Sequence, residues 1–442
     1  MASIVRQCMC SVLLLFLNNC YGDDPQPQQI HLASTGDPTE MMVTWVTLTL
    51  TNYSIVEYNK GGFPLTLRAT GAVTKFTDGG SQHRVLYMHR VKLTGLAYDQ
   101  VYDYHCGGWD GWSALFSFKT FKSGVDWSPR LAVFGDLGSV NAKSLSYLQE
   151  ETQMGHFDGI LHVGDFAYNM DTTKGRLNDY IYFSLNSFQE CTPSTFSSNL
   201  TVNFSNYRSR FSMPGNSEGI FYSWNIGPAH IISISTEVYF FLNYGLEQVV
   251  QQYNWLEKDL QEAASPKNRK LHPWIITMGH RPMYCSNSDG DDCTKHESVV
   301  RGGLTSKHLF PLEDLFYKYG VDLSIWAHEH SYERLFPIYK RQVSHNFFVL
   351  NIIINIKDDN AFLPHLLLVQ STGCQEDHDP FEKDYPPWTA YRSEDYGYTR
   401  MTIFNETHLF MDQVSVDKEG EVIDKVWIIK DSHGPEAWTA KQ

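Results

Sequence analysis

The chain has 442 residues, of which 42% are hydrophobic, 14% aromatic and 19% charged. This composition excludes an intrinsically disordered chain. The chain is long enough to bury a sizeable core, and against a prior of roughly one domain per 150 residues it should contain more than one domain; we expect two. The formal net charge of −15 at pH 7 would repel a polyanion, so we expect no nucleic-acid partner.

The N-terminus is typical of a secretory signal peptide. Arg6 precedes an apolar run at 12–17, and Cys20 and Gly22 suit cleavage by signal peptidase. We therefore interpret residues 1–22 as a signal peptide and expect a secreted protein, extracellular or lysosomal by the secretory pathway. The run is shorter than the about 20 apolar residues that a bilayer requires, so we expect no membrane span. Sequons that agree with this route, and predict a glycoprotein, are Asn52, Asn199, Asn203 and Asn405.

The cysteines that follow the leader contain no CxxC pair, which argues against a structural zinc site. They are Cys106, Cys191, Cys285, Cys293 and Cys374. In an oxidising compartment Cys285 and Cys293 could close a short loop as a disulfide. Because the number is odd, one thiol stays free or pairs between chains.

Residues 23–121 are predicted to form an all-β sandwich, because short alternating runs are separated by turns that contain Gly and Asp. The runs are 42–46, 54–58, 89–93, 101–106 and 114–118. They carry no His or carboxylate cluster at ligand spacing, which favours a structural or interaction module.

After a polar linker at 122–129, apolar runs alternate with helical patterns. Buried strands are predicted at 131–134, 160–163, 230–234, 274–278 and 321–326, and an amphipathic helix at 246–260. We interpret 128–370 as an α/β catalytic domain, which a C-terminal segment at 371–442 completes.

Metal-ligand side chains follow four of these strands. They are Asp136; Asp165 with Tyr168; His280; and His328 with His330. Each alone has an ordinary explanation as a turn residue or a hydrogen-bonded core histidine. Because ligand sites in α/β sheets lie at the carboxyl ends of strands, all six should meet at one edge. So many buried ionisable groups without a nearby Lys or Arg cluster predict a metal site.

The ligand set suits two cations. A carboxylate such as Asp165 can bridge two ions about 3.5 to 4 Å apart, which together activate a water and clamp the oxygens of an in-line displacement at phosphorus. Imidazole and carboxylate suit Zn, Fe and Mn. The phenolate of Tyr168 favours ferric iron.

These blocks resemble the signature motifs of the purple acid phosphatases, in particular the animal branch that is similar to the plant enzymes. The matches are GDLG with Asp136, GDFAY with Asp165 and Tyr168, ITMGH with His280, and AHEH with His328 and His330. The resemblance extends over nearly the whole mature chain. It implies an α/β metallophosphoesterase fold, an αββα sandwich, with an N-terminal fibronectin type III-like domain.

The resemblance also implies the chemistry: an acid phosphatase in which a metal-bound hydroxide attacks a phosphate monoester. Asp136, Asp165, Tyr168 and His330 would hold ferric iron, Fe(3+). Asp165, His280 and His328 would hold a second divalent ion, Zn, Fe or Mn. His296 falls where the family keeps a histidine that contacts phosphate and protonates the leaving alcohol; an ordinary loop histidine is the alternative. No oligomeric state follows from the sequence.

One family motif, GNH(D/E), has no match. Asn216, in Pro-Gly-Asn, is a weak substitute because it follows 208–211 rather than a buried strand. The segments 184–202 and 344–369 are irregular. The alternative is therefore a catalytically impaired secreted protein of the same fold that acts as a binding module. A phosphodiesterase or nucleotidase is a third possibility, and Tyr168 counts against it.

Overall fold

The computed structural model describes residues 24–77, 83–138, 142–165, 205–217, 219–242, 245–343, 366–369, 378–430 and 432–433. The predicted signal peptide, Tyr168, the sequons at Asn199 and Asn203, and the segment 184–202 lie outside these residues. Among the helices that are described, none has the length and apolar character that a membrane crossing requires.

The N-terminal part is a sandwich of two antiparallel sheets, as the sequence predicted. One sheet has, in spatial order, strands Gln28–Ala33, Met41–Thr47, Val85–Leu93 and Ala72–Thr77. The other has Leu67–Thr70, Ile55–Lys60, Val101–Gly108 and Gly111–Trp112, with Phe116–Lys119 paired to Val101–Gly108. Trp45, Val56 and Tyr104 belong to the core between the sheets.

Two further sheets form the part that the sequence predicted as the catalytic domain. The five-stranded sheet has the order Gly159–His162, Arg130–Phe134, Gly397–Ile403, His408–Ser415 and Glu421–Ile429. The seven-stranded sheet has the order Tyr222–Ile226, Ala229–Ser233, Trp274–Met278, Leu323–Trp326, Leu366–Val369, Tyr332–Leu335 and Thr389–Ser393. Ile338–Tyr339 and Gln342–Val343 form a small separate hairpin.

Alternation of side chains along the strands produces the layers. Val133 and Ile276 belong to a core shared by both sheets, whereas Ala132 packs with Leu148 of one helix and Ile275 with Leu256 of another. The order of layers is therefore helix, sheet, sheet, helix, which confirms the predicted αββα fold.

The helices that are described follow the apolar periodicity of the sequence. They are Leu145–Gln153, Ser205–Arg210, Glu247–Ala263, Pro266–Leu271, Val299–Gly302 and Leu312–Tyr319, with 3₁₀ turns at Glu237–Tyr239 and Asp292–Thr294. Glu247–Ala263, predicted at 246–260, buries Val249, Leu256 and Leu260.

Parallel pairing brings the ends of several strands to one edge. Trp274–Met278 lies between Ala229–Ser233 and Leu323–Trp326, and all three are parallel. Arg130–Phe134 is parallel to Gly159–His162 in the other sheet. Leu366–Val369, the described end of the irregular segment 344–369, continues the parallel order beside Leu323–Trp326.

The predicted disulfide between Cys285 and Cys293 is present. Cys106 is a buried free thiol, whereas Cys191 and Cys374 lie outside the described residues.

Candidate metal centre

Five of the six predicted metal ligands lie in turns that directly follow parallel strands. Asp136 follows Arg130–Phe134, Asp165 follows Gly159–His162, and His280 follows Trp274–Met278. His328 and His330 follow Leu323–Trp326. The sixth, Tyr168, lies outside the described residues.

The backbone of these turns has an unusual conformation. Asp136, Asp165 and His328 have φ values of 49°, 40° and 75°, a region that residues other than Gly rarely adopt. Hydrogen bonds support these turns: the Asp136 amide donates to Gly164 O at 3.1 Å, and the His328 amide donates to Oδ2 of Asp136 at 2.9 Å. The second bond joins the two sheets at the site.

The five side chains form a continuous cluster. Nε2 of His330 lies 3.6 Å from Oδ1 of Asp136, and Nε2 of His280 lies 3.5 Å from Oδ2 of Asp165. Nδ1 of His328 lies 3.2 Å from Nε2 of His280. Ligand atoms of Asp136, Asp165 and His280 all lie within 4.8 Å of one another. The carboxylate oxygens of the two aspartates therefore lie between the ring nitrogen of His330 on one side and those of His280 and His328 on the other.

The chemistry of these residues fits metal ions. Asp136 is 0% and Asp165 5% exposed, and Oδ1 of Asp165 has no hydrogen-bond partner among the described residues. Buried carboxylates need a compensating positive charge. Nδ1 of His280 donates to Val163 O at 3.2 Å, so Nε2 is the nitrogen directed at Asp165. Such an outer hydrogen bond is typical of metal-binding imidazoles.

The electrostatics of the cluster agree with this fit. Burial alone would lower the pKa of His280, but the charge and hydrogen bond of Asp165, with help from Asp136, raise it to about 9. Burial would raise the pKa of Asp136, yet the hydrogen bond from His330 and the surrounding imidazoles keep it below its usual value. The carboxylates thus stabilise positive charge at the positions where cations would bind.

Asp291 is a site residue that sequence reasoning missed. Its Oδ2 lies 2.7 Å from Nε2 of His328, while Nη1 of Arg281 lies 2.8 Å from the same nitrogen. Arg281 is fixed by Glu237, with Nε 3.0 Å from Oε1. Burial raises the pKa of Asp291, but His328 and Arg281 together hold it well below its usual range. Because Asp291 and Arg281 both contact Nε2 of His328, Nδ1 is the nitrogen that remains to act as the ligand atom.

Glycines permit the close packing of these turns. A Cβ at Gly164, where φ is 104°, would lie 2.3 Å from Nδ1 of His280. A Cβ at Gly135 would lie 2.4 Å from Cβ of Ala327, the residue that stands where the family motif has glycine. Gly135 therefore provides the space that Ala327 uses.

Two further candidates have no hydrogen bond or ion pair with the five ligands among the described residues. The His296 side chain is 79% exposed, and its Nδ1 lies 3.0 Å from Oε1 of Glu297. Asn216 is exposed in the loop after Ser205–Arg210. The roles that the sequence suggested for His296 and Asn216 therefore stay predictions.

Comparison with protein families gives three consecutive matches. Residues 27–120 match the purple acid phosphatase N-terminal domain, 129–332 the calcineurin-like phosphoesterases, and 369–425 the iron/zinc purple acid phosphatase-like protein C domain.

Individual relatives extend over almost the whole chain. Acid phosphatase type 7 of Homo sapiens is 49% identical over 97% of this chain and 97% of its own length. The Mus musculus protein of the same name is 51% identical over 91% of each chain. Purple acid phosphatase 18 of Arabidopsis thaliana is 25% identical over 91% of this chain and 84% of its own length. The purple acid phosphatase PPD1 of yellow lupin has a similar fold, with a TM-score of 0.71 and 21% identity over 92% of this chain and 75% of that chain.

Proposed function

The chain belongs to the purple acid phosphatase family, and on that premise we propose that it hydrolyses phosphate monoesters at a two-metal centre. The observation that carries the proposal is the convergence of Asp136, Asp165, His280, His328 and His330 at one edge of the two sheets. The unpartnered oxygen of Asp165, which lies within this cluster, suits a bridging position.

The proposed metals divide between the two halves of the cluster. Asp136, Asp165 and His330, together with Tyr168, would hold ferric iron. Asp165, His280 and His328 would hold a divalent Zn, Fe or Mn ion. When bound, such a pair supplies Lewis-acid chemistry, which lowers the pKa of water and neutralises charge on phosphate oxygens.

The chain's own residues orient this centre. Val163 O fixes the ring of His280, and Asp291 fixes the ring of His328, so that each presents one nitrogen to the cluster. We further propose that His296 donates a proton to the ester oxygen of the leaving alcohol as the P–O bond breaks. The exposed position of His296 in the loop after Cys293 leaves its ring accessible to a substrate.

The relatives favour this enzyme over the binding-module alternative. Proteins about half identical over nearly the whole chain are named acid phosphatases. The alternative rested on the absent GNH(D/E) motif, and the stretch where that motif was expected, 194–200, lies outside the described residues. Secretion and N-glycosylation remain our proposals from the leader and the sequons.

The test is to purify the protein, measure its iron and zinc content and its visible absorption, and assay an aryl phosphate at acidic pH. We expect two metals per chain, a tyrosinate-to-iron band and turnover. Asp165→Asn should lose metal and reduce kcat by at least about a thousandfold, since Lewis-acid stabilisation contributes several kcal/mol. Asp126→Asn, the same change at an exposed site, is the control. One iron with colour but no turnover would overturn the proposal in favour of the binding module.

A further inference from the structure

A second group of oxygen ligands lies beside the candidate metal centre, and none of its members is among the six predicted ligands. Carboxylate oxygens of Asp289, Glu329 and Asp379 all lie within 4.8 Å of one another. Glu329 is 0% exposed, whereas Asp289 is exposed and Asp379 is half-buried. The group therefore has a dry inner end and an outer end that is open to solvent.

Two buried oxygens here receive no hydrogen bond from a donor within the described residues when the three carboxyl groups are ionised. They are Oε2 of Glu329 and Oδ1 of Asn287, which is also 0% exposed. The amide of Asn287 is fixed, because Nδ2 donates to Asp379 O and to Oγ of Ser331, each at 2.8 Å. Leaving two such acceptors unsatisfied would cost free energy, so an absent partner is implied.

No Lys or Arg in the described part of the chain pairs with these three carboxylates. The charges that act most strongly on Glu329 are also negative, namely Asp289, Asp291 and Asp379. Arg281, on the same side, is already engaged by Glu237 and Asp291. Like charges held this close in a buried place need a cation or protons to balance them.

The chemistry of the ligands selects the kind of cation. Sγ of Cys293 lies 3.0 Å from Oε1 of Glu329, but it is bonded to Cys285 and provides no thiolate. The remaining donors are all carboxylate and amide oxygens, which suit calcium rather than zinc or iron. Asn287 and Asp289 lie two residues apart in the same loop, so both can present an oxygen to one ion.

We propose that Asp289, Glu329 and Asp379, together with Asn287, bind one calcium ion beside the two-metal centre. Two interactions hold the proposed ligands in place. The disulfide closes the loop that carries Asn287 and Asp289, and the His330 amide donates to Oδ2 of Asp379 at 2.9 Å. Since Glu329 separates His328 from His330 in sequence, the ion would hold the turn that supplies both histidines. The proposal does not depend on turnover.

The experiment is a calcium titration of the metal-loaded, full-length protein after dialysis into calcium-free buffer. Equilibrium dialysis with radioactive calcium up to about 10 mM covers the affinities typical of extracellular modules. We expect one calcium per chain, with the iron and zinc content unchanged, and a rise in melting temperature with calcium. Asp289→Asn should weaken binding by more than about tenfold and remove the rise in melting temperature.

Asp126→Asn makes the same chemical change at an exposed position far along the chain and should bind calcium as the wild type does. Asp289 is exposed, so its substitution should not prevent folding, whereas Glu329→Gln, which should also abolish binding, needs a check of its circular dichroism. Two results would overturn the proposal. One is the absence of bound calcium, which would mean that protons balance the three carboxylates. The other is calcium binding that Asp289→Asn leaves unchanged.

Discussion

Oδ2 of Asp291 lies 2.7 Å from Nε2 of His328, so a carboxylate stands behind an imidazole of the proposed divalent site. Asp291→Ala should therefore weaken the binding of the divalent ion about 10- to 100-fold, because the ring of His328 would lose its orientation. The iron absorption band should persist, since His328 is not among the proposed iron ligands. Titration of activity with zinc measures the change, and activity should return at high zinc. A loss that zinc does not restore, or an equal loss in Asp126→Ala, would contradict the positioning role.

Gly164→Ala should disable the site while the fold survives. Its Cβ would meet Nδ1 of His280 at 2.3 Å, which would force the imidazole away from Asp165. We expect loss of the divalent ion and of most activity. Gly155→Ala is the matched control, because Gly155 also has a positive φ, 73°, but open space around its Cβ. Gly155→Ala should keep its activity and lose only about 1 kcal/mol of unfolding free energy, because of backbone strain. Equal kcat values for the two variants would refute the argument.

His296→Ala should discriminate between leaving groups. A general acid matters most when the departing alcohol is a poor leaving group, so hydrolysis of an alkyl phosphate should fall about a hundredfold and that of a nitrophenyl phosphate much less. The ratio of the two kcat/KM values is the measurement. His156→Ala removes another exposed imidazole, at the end of Leu145–Gln153, and should leave the ratio unchanged. A uniform loss on both substrates would assign His296 to binding instead.

His89 should make the N-terminal sandwich sensitive to acid. It is 0% exposed, stacks on Trp45 and contacts the hydroxyls of Thr47 and Ser54. Burial lowers the pKa of His89 from its ordinary value of about 6.5 to about 4. Below pH 6.5 the unfolded chain binds a proton that the folded chain does not, so stability falls as the pH drops towards 4. Once the pH is below about 4, the full loss of unfolding free energy is about 3 kcal/mol, and above pH 6.5 there is no loss.

The measurement is urea unfolding of the wild type and of His89→Gln at pH 7 and at pH 4.5, with the metal content held constant. Gln cannot titrate, so the variant, although less stable at pH 7, should lose less free energy of unfolding between the two pH values. Identical losses in the two proteins would show that other groups cause the acid sensitivity.

Buried strands and the main helix could be predicted from the sequence because a local pattern determines them. The apolar run at 274–278 coincides with Trp274–Met278, and the periodicity at 246–260 differs from Glu247–Ala263 by one residue at the start and three at the end. Edge strands were missed. Leu67–Thr70 and Ala72–Thr77 expose most of their side chains, so no apolar alternation marks them.

The candidate site was predictable to the extent that strand ends determine it. Asp136, Asp165, His280, His328 and His330 each follow a recognisable strand, and the parallel order brings them together. Asp291 was not predictable, because it lies in a polar loop and reaches His328 only through the folding of that loop. The contact of His330 with Asp136 across two sheets likewise has no local signal.

The strand Arg130–Phe134, which carries Asp136 at its end, has Gly397–Ile403 as one of its two neighbours. During translation the first strand leaves the ribosome early, whereas this neighbour emerges near the end of synthesis. Until then that edge of the strand lacks its partner and can pair with other nascent chains. A premature stop codon before Gly397 would spare every proposed ligand yet remove the support of the first, and we expect iron loading to follow completion of the chain.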